Sequence, residues 1–200
     1  MSLSSMKPNV VLIGASAGGV KLIEKLLGAF EGLPPSVKEN TSIVICQHLS
    51  EASKSLMKEI IDRTDSGFEV RELFESMKLE KNVCYLNQPG RYTSYGDGGI
   101  SVREFKDIDR KEPTFLINKC FSSFAKHMDD FQLVFGIILS GAGSDGALGL
   151  LDLKEAGGFC IAQDPEEAEV NGMPQAAINK EAFHETFSCF YQVVSQNVFS

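Results

Sequence analysis

The stretch Val10-Val11-Leu12-Ile13-Gly14-Ala15-Ser16-Ala17-Gly18-Gly19 decides how the rest of the chain is read. Four apolar residues run straight into a glycine-lined turn, and Val20, Ile23, Leu26, Leu27 and Phe30 follow at helical spacing. Strand, tight turn and helix in that order open a βα unit. Small residues around Ser16 let the chain turn sharply and leave its hydroxyl clear of its own backbone, the setting a nucleophilic serine needs. The same turn suits two other uses: closing a tight connection, or presenting N–H groups to a phosphate at the helix start. The motif alone leaves all three open.

Working outward, Ile43-Val44-Ile45-Cys46 is a short continuous apolar run ending at Gln47-His48, as a strand covered on both faces requires. Ser50 or Ser53 is placed to cap a helix striped by Leu56, Met57, Ile60 and Ile61. Phe131 to Leu139 reads as another strand. The loop Ser140-Gly141-Ala142-Gly143-Ser144-Asp145-Gly146 follows it, and then a helical stretch with Leu148, Leu150, Leu151 and Leu153. Gly157 to Ala162 adds a further strand, and Gly172-Met173-Pro174 opens a late helix with proline in its first turn. Leu116, Cys120, Phe124 and Met128 recur every fourth residue and predict a core-facing helix. In the middle, Phe68 to Leu73 alternates, Val83 to Leu86 is short, and Tyr95-Gly96-Asp97-Gly98-Gly99-Ile100 carries a hairpin signal, so antiparallel structure is expected to interrupt the sheet. The expected fold is α/β: a doubly wound, mostly parallel sheet flanked by helices, with a small antiparallel hairpin. One domain is expected over residues 1–200, with 1–7 a flexible leader or expression scar.

Composition narrows the function. The chain has 200 residues and is 43% hydrophobic, enough for one substantial core. Nineteen basic against 27 acidic residues leave a formal charge of -8, the wrong sign for a phosphate-backbone binder, so no nucleic acid is expected. Cys46, Cys84, Cys120, Cys160 and Cys189 are scattered in apolar surroundings without metal-ligand or disulfide spacing, and read as buried thiols in a reducing cytosol. No apolar run reaches the roughly 20 residues of a membrane helix, and none resembles a signal peptide's core. A cytoplasmic protein without membrane insertion, metal or cofactor is the expectation.

Three loops at the carboxyl ends of predicted parallel strands offer Ser16, His48 and Asp145. A serine needs a base to take its proton, imidazole does that near neutral pH, and a carboxylate fixes the imidazole's tautomer. Each member also has a plainer use: a small turn residue, a strand-end histidine bonded to backbone, and the N-cap of the helix starting near Gly146. His127 and His184 lie away from glycine loops and read as structural or exposed. Asp164, Glu166 and Glu167 read as solvated surface.

The order Ser, His, Asp departs from that of the α/β-hydrolases. Ile13-Gly14-Ala15-Ser16-Ala17-Gly18-Gly19, Gln47-His48-Leu49 and Ser140 to Gly149 together resemble the catalytic domain of the chemotaxis protein-glutamate methylesterases of CheB type. Tyr85 to Gly90 and Gly172 to Ile178 resemble further family segments in the family's order. The resemblance implies Ser16 as nucleophile, His48 as base and then acid, and Asp145 as the orienting carboxylate. It implies γ-glutamyl methyl esters of a methyl-accepting chemotaxis receptor, or a similar signalling protein, as substrate, with glutamine deamidation as a second activity. A separate phospho-receiver is the implied regulator. Elbow geometry makes Ala17 N–H an oxyanion donor, with Gly18 beside it and Gly141, Ala142 and Gly143 as the loop supplying a second. Ala17, Ala142, Ser50 and Glu112 to Leu116 depart from the family's usual residues. Two alternatives stand beside this reading: a degenerate family member kept as a signalling surface, and a nucleotide- or phosphate-binding α/β module.

Overall fold

The computed structural model describes residues 6–48, 54–64, 66–105 and 115–187. Its centre is a seven-stranded sheet in the order β10-β9-β8-β1-β2-β5-β3, and every pairing in it is parallel. The strands are β1 (Asn9–Ala15), β2 (Thr41–Gln47), β3 (Glu69–Glu72), β5 (Val83–Leu86), β8 (Leu133–Ile138), β9 (Phe159–Gln163) and β10 (Glu185–Phe187). β1 and β2 are buried along their whole length, which is why they read as unbroken apolar runs rather than alternating ones. The hydroxyls at the start of β2 are buried but bonded: Thr41 donates to Val37 O and Ser42 to Glu80 O.

Helices cover both faces. α1 (Val20–Ala29) and α3 (Lys54–Arg63) lie on one side, where Ile23, Leu26, Leu27, Met57 and Ile61 pack against Val11, Ile13, Ile43 and Ile45. α4 (Leu116–Ala125), α5 (Ala147–Glu155) and α6 (Gly172–Asn179) lie on the other, where Ile117, Phe121, Leu150 and Met173 meet Leu12, Val44 and Ile138. A four-residue helix, α2 (Pro35–Lys38), precedes β2. The architecture is the doubly wound α/β arrangement expected. No helix among the described residues is long and apolar enough to cross a membrane.

Among the described residues, antiparallel pairing is confined to a separate three-stranded sheet, β4 (Met77–Lys78), β7 (Gly99–Glu104) and β6 (Arg91–Gly96), with β6 and β7 forming the predicted hairpin. The expectation that antiparallel strands interrupt the main sheet is corrected in detail. β3 and β5 both join it in parallel, and the alternation in β3 arises because it is an edge strand with partly exposed residues. Leu116, Cys120 and Phe124 are buried on α4 as the spacing predicts, while Met128 lies beyond its end in a 3-10 turn. Ser50, Ser53 and Cys189 lie outside the described residues.

Candidate active site

The three sequence-selected loops open at the carboxyl edge of the sheet, after Ala15 of β1, Gln47 of β2 and Ile138 of β8. β1 sits between β2 and β8, so the chain leaves it toward one side first and returns on the other. Such a reversal opens a crevice at the strand ends, the usual ligand site of open α/β sheets. Both ladders run one step past the strands, with Ser16 N–H donating to Ser140 O at 2.9 Å and His48 N–H to Ala15 O at 3.2 Å. The backbones at Ser16 and His48 are therefore about one strand spacing, ~4.8 Å, apart.

The Ser16 turn closes with Gly19 N–H donating to Ser16 O at 3.0 Å. Gly18 has φ +78° and Ala17 is not among the positive-φ residues, which makes the turn type II. A Cβ at Gly18 would lie 2.7 Å from Ser140 Oγ and 2.8 Å from Glu169 Cβ, so space as well as backbone demands glycine there. Among the described residues the N–H groups of Ala17 and Gly18 have no backbone acceptor. In the β8 loop, Gly141 N–H is spent on Val170 O at 2.8 Å, leaving Ala142 and Gly143 as that loop's candidate donors. Gly141 nevertheless has a packing role, because a Cβ there would stand 2.8 Å from Ser16 Cβ and 2.1 Å from Met173 Sδ.

His48 and Asp145 are joined. His48 Nε2 lies 2.7 Å from Asp145 Oδ2, with the carboxylate side chain 6% exposed and the imidazole 30%. The same carboxylate accepts the N–H of Ile117 at 3.0 Å on Oδ2, and those of Asn118 at 2.9 Å and Gly146 at 2.8 Å on Oδ1. It thus serves as the missing cap of α4, whose own N-cap residue, Phe115, makes no side-chain bond. The alternative reading of Asp145 as cap of the following helix is overturned: Gly146 holds that position, with φ +90° and no side-chain cap. With Nε2 taken by Asp145, Nδ1 is the ring nitrogen left to face a nucleophile. No hydrogen bond joins Ser16 Oγ to His48 among the described contacts, and bonds of this kind commonly tighten only in the substrate complex.

Two supports of the site escaped the sequence reading. Asn87, at the end of β5, clamps the backbone just before His48, accepting Gln47 N–H and donating to Gln47 O, both at 2.8 Å. Ser140 is fully buried, with its N–H on Gln163 Oε1 at 2.7 Å and its hydroxyl on Ala17 O at 2.7 Å. Both residues fall inside segments that resemble the family, Tyr85 to Gly90 and Ser140 to Gly149, but that resemblance gave neither of them a role. Beside His48, a cavity of about 260 Å³ is lined by Gln47, Asn87, Gln88, Arg91 and Leu116 among others.

The remaining titratable candidates have structural uses. His127 Nδ1–H donates to Ser123 O at 2.9 Å and its ring meets Tyr95 edge-on. His184 Nδ1 accepts Cys160 N–H at 3.0 Å while its ring stacks on Phe159. Cys46, Cys84, Cys120 and Cys160 are free and buried. Contact with the Cys120 thiol, then burial, push the Cys46 thiol well above its ordinary range. Burial alone raises Cys84, and it pushes Cys160 up to about 12. Thiols held protonated this way are poor nucleophiles.

A family profile described as CheB methylesterase matches residues 11–190. The chain is 30% identical over 187 residues, 92% of its length and 50% of the relative's, to a protein-glutamate methylesterase/protein-glutamine glutaminase of Photorhabdus laumondii. It is 29% identical to a relative in Leptospira interrogans, covering 86% of this chain and 85% of that one. It spans about half the length of similar curated relatives in Photorhabdus laumondii, Vibrio vulnificus and Rhodospirillum rubrum. The crystal structure of the Thermotoga maritima CheB methylesterase catalytic domain superposes with a TM-score of 0.77 at 21% identity, covering 94% of this chain and 96% of that one. At that identity the likeness speaks for the fold.

Proposed function

The chain belongs to the CheB methylesterase family, and from that premise we propose that it is a serine hydrolase removing methyl groups from γ-glutamyl esters of a chemoreceptor, and deamidating glutamines at the same site. The observation that carries the proposal is the His48–Asp145 pair, 2.7 Å apart, one strand spacing from the Ser16 turn. Ser16 Oγ attacks the ester carbonyl and passes its proton to His48 Nδ1. Asp145 stabilises the imidazolium through Nε2–H. The oxyanion is received at the Ser16 turn, where donors aimed at the developing charge lower the barrier. His48 returns the proton to the departing methoxy oxygen, which leaves as methanol, or to the departing amide nitrogen, which leaves as ammonia, with the acyl group left on Ser16. Water, deprotonated by His48, then attacks the acyl carbon, and Ser16 regains its proton.

The cytoplasmic face of a chemoreceptor is the proposed partner, with a separate phospho-receiver as regulator, and the cytoplasm as the compartment. The experiment is methanol release from methyl-esterified receptor by the purified chain and by Ser16→Ala and His48→Ala. Loss of nearly all hydrolysis in both variants is expected, because triad members act as a unit. Undiminished hydrolysis by Ser16→Ala would remove the nucleophile assignment.

A further inference from the structure

Resting on the reading of Ser16 as nucleophile, we infer that Ser140 is a positioning residue whose hydroxyl latches the Ala17–Gly18 peptide so that Gly18 N–H faces the reacting carbonyl. The oxyanion is then held by two consecutive N–H groups, those of Ala17 and Gly18.

Ser140 grips the backbone on both sides of the nucleophile. Its carbonyl accepts Ser16 N–H at 2.9 Å, and its Oγ–H donates to Ala17 O at 2.7 Å. The hydroxyl is itself oriented from behind, accepting Val170 N–H at 3.0 Å, while Val170 O is the more distant acceptor at 3.3 Å. In a trans peptide the carbonyl and the following N–H point in opposite directions. Fixing Ala17 O against Ser140 therefore turns Gly18 N–H away from it, toward the open side of the turn. The Ser16–Ala17 peptide is held separately by the Gly19 N–H bond to Ser16 O, which sets the direction of Ala17 N–H.

The latch matters because the turn has an accessible alternative. Types I and II differ by a flip of their central peptide, and glycine at the third position accepts either hand. The flipped turn would put Ala17 C=O where Gly18 N–H stands, presenting a partial negative charge to an oxyanion. Gly18, at φ +78°, is in the type II form. Ser140 Oγ is the group that holds Ala17 O there.

The test compares Ser140→Ala, Ser140→Thr and Ser140→Cys by kcat and KM for methyl-ester hydrolysis, with thermal unfolding alongside. Losing one net hydrogen bond from the latch predicts a fall in kcat of about tenfold in Ser140→Ala with KM little changed. Threonine, which keeps the hydroxyl, restores most of the rate, and cysteine, a weak donor of similar size, falls between. A folded Ser140→Ala with wild-type kcat, a loss confined to KM, or a folded Ser140→Thr as slow as Ser140→Ala overturns the inference. If the alanine variant does not fold, threonine and cysteine variants of equal rate do so instead. A crystal structure of a folded alanine or cysteine variant reads the peptide directly, and an Ala17 carbonyl still facing residue 140 in the wild-type pose overturns the latch. That reading holds even if the wild-type chain hydrolyses no glutamyl ester, an outcome that would sink the proposed function alone.

Discussion

Asp145→Asn separates the two jobs of one carboxylate. Oδ1 accepts two backbone N–H groups, and Oδ2 accepts Ile117 N–H while meeting His48 Nε2. An asparagine with its oxygen kept toward Asn118 and Gly146 places an NH2 where Oδ2 stood. That group opposes Ile117 N–H, donor against donor, and donates to His48 Nε2, forcing the ring proton onto Nδ1, the nitrogen that is the base in the proposed mechanism. Wrong-tautomer substitutions of this kind cost about 10⁴ in kcat, or ~5.5 kcal/mol of barrier. One orphaned N–H at the start of α4 and the lost anion there together cost about 2 kcal/mol of stability. For a chain of this length that is a fall of roughly 4–8 °C in unfolding temperature. The assays are methanol release from esterified receptor and thermal or urea unfolding of the same samples. His48→Ala is the control: it removes the base but spares the α4 cap, so activity goes while stability stays within about 1 kcal/mol. Asp145→Asn with hydrolysis within tenfold of wild type would refute the orienting role. Unchanged unfolding would refute the cap.

Gly149→Ala puts a Cβ 2.8 Å from Asn118 O and 2.7 Å from Phe121 Cβ, so α4 and α5 must separate. Overpacking of this kind costs about 1–3 kcal/mol, and a urea midpoint unchanged from wild type would contradict it. Activity falls with it, because Asp145, in the turn that leads into α5, is held by N–H groups at the start of α4. Contact with Cys120 and then burial raise Cys46, burial raises Cys84 and Cys160, and all four described thiols are shut away from solvent, so Cys46, Cys84, Cys120 and Cys160 stay unlabelled by a thiol reagent in native protein and react after denaturation. Rapid native labelling of any of these four, mapped by peptide mass, would contradict the core as described.

Much of the site was legible because its parts are local. The apolar runs of β1 and β2, each followed by its loop, place Ser16 and His48 at strand ends from neighbouring residues alone. The destination of Asp145 was not, because its partners on α4 lie 27 and 28 positions away, and nothing near Gly146 announces them. The same holds for Ser140, whose hydroxyl reaches Ala17 across 123 positions, and for Asn87, 40 positions from Gln47. β3 and β5 were read as possible antiparallel segments because edge exposure imitates the alternation of a hairpin, while the direction of pairing depends on crossovers that short strands do not encode.

The separation of Ser16 and His48, the proposed nucleophile and base, derives from the pitch of a parallel sheet. Loop insertions cannot tune it, since Ser16 and His48 each follow directly on the last rung of strands whose partners are in strict register from Asn9–Thr41 to Ala15–Gln47. Surface segments around the crevice are therefore free to diverge in length and sequence, changing what is admitted, without detuning the chemistry beneath. An engineer grafting new recognition onto this scaffold would do best to rebuild the rim and leave the ladder untouched.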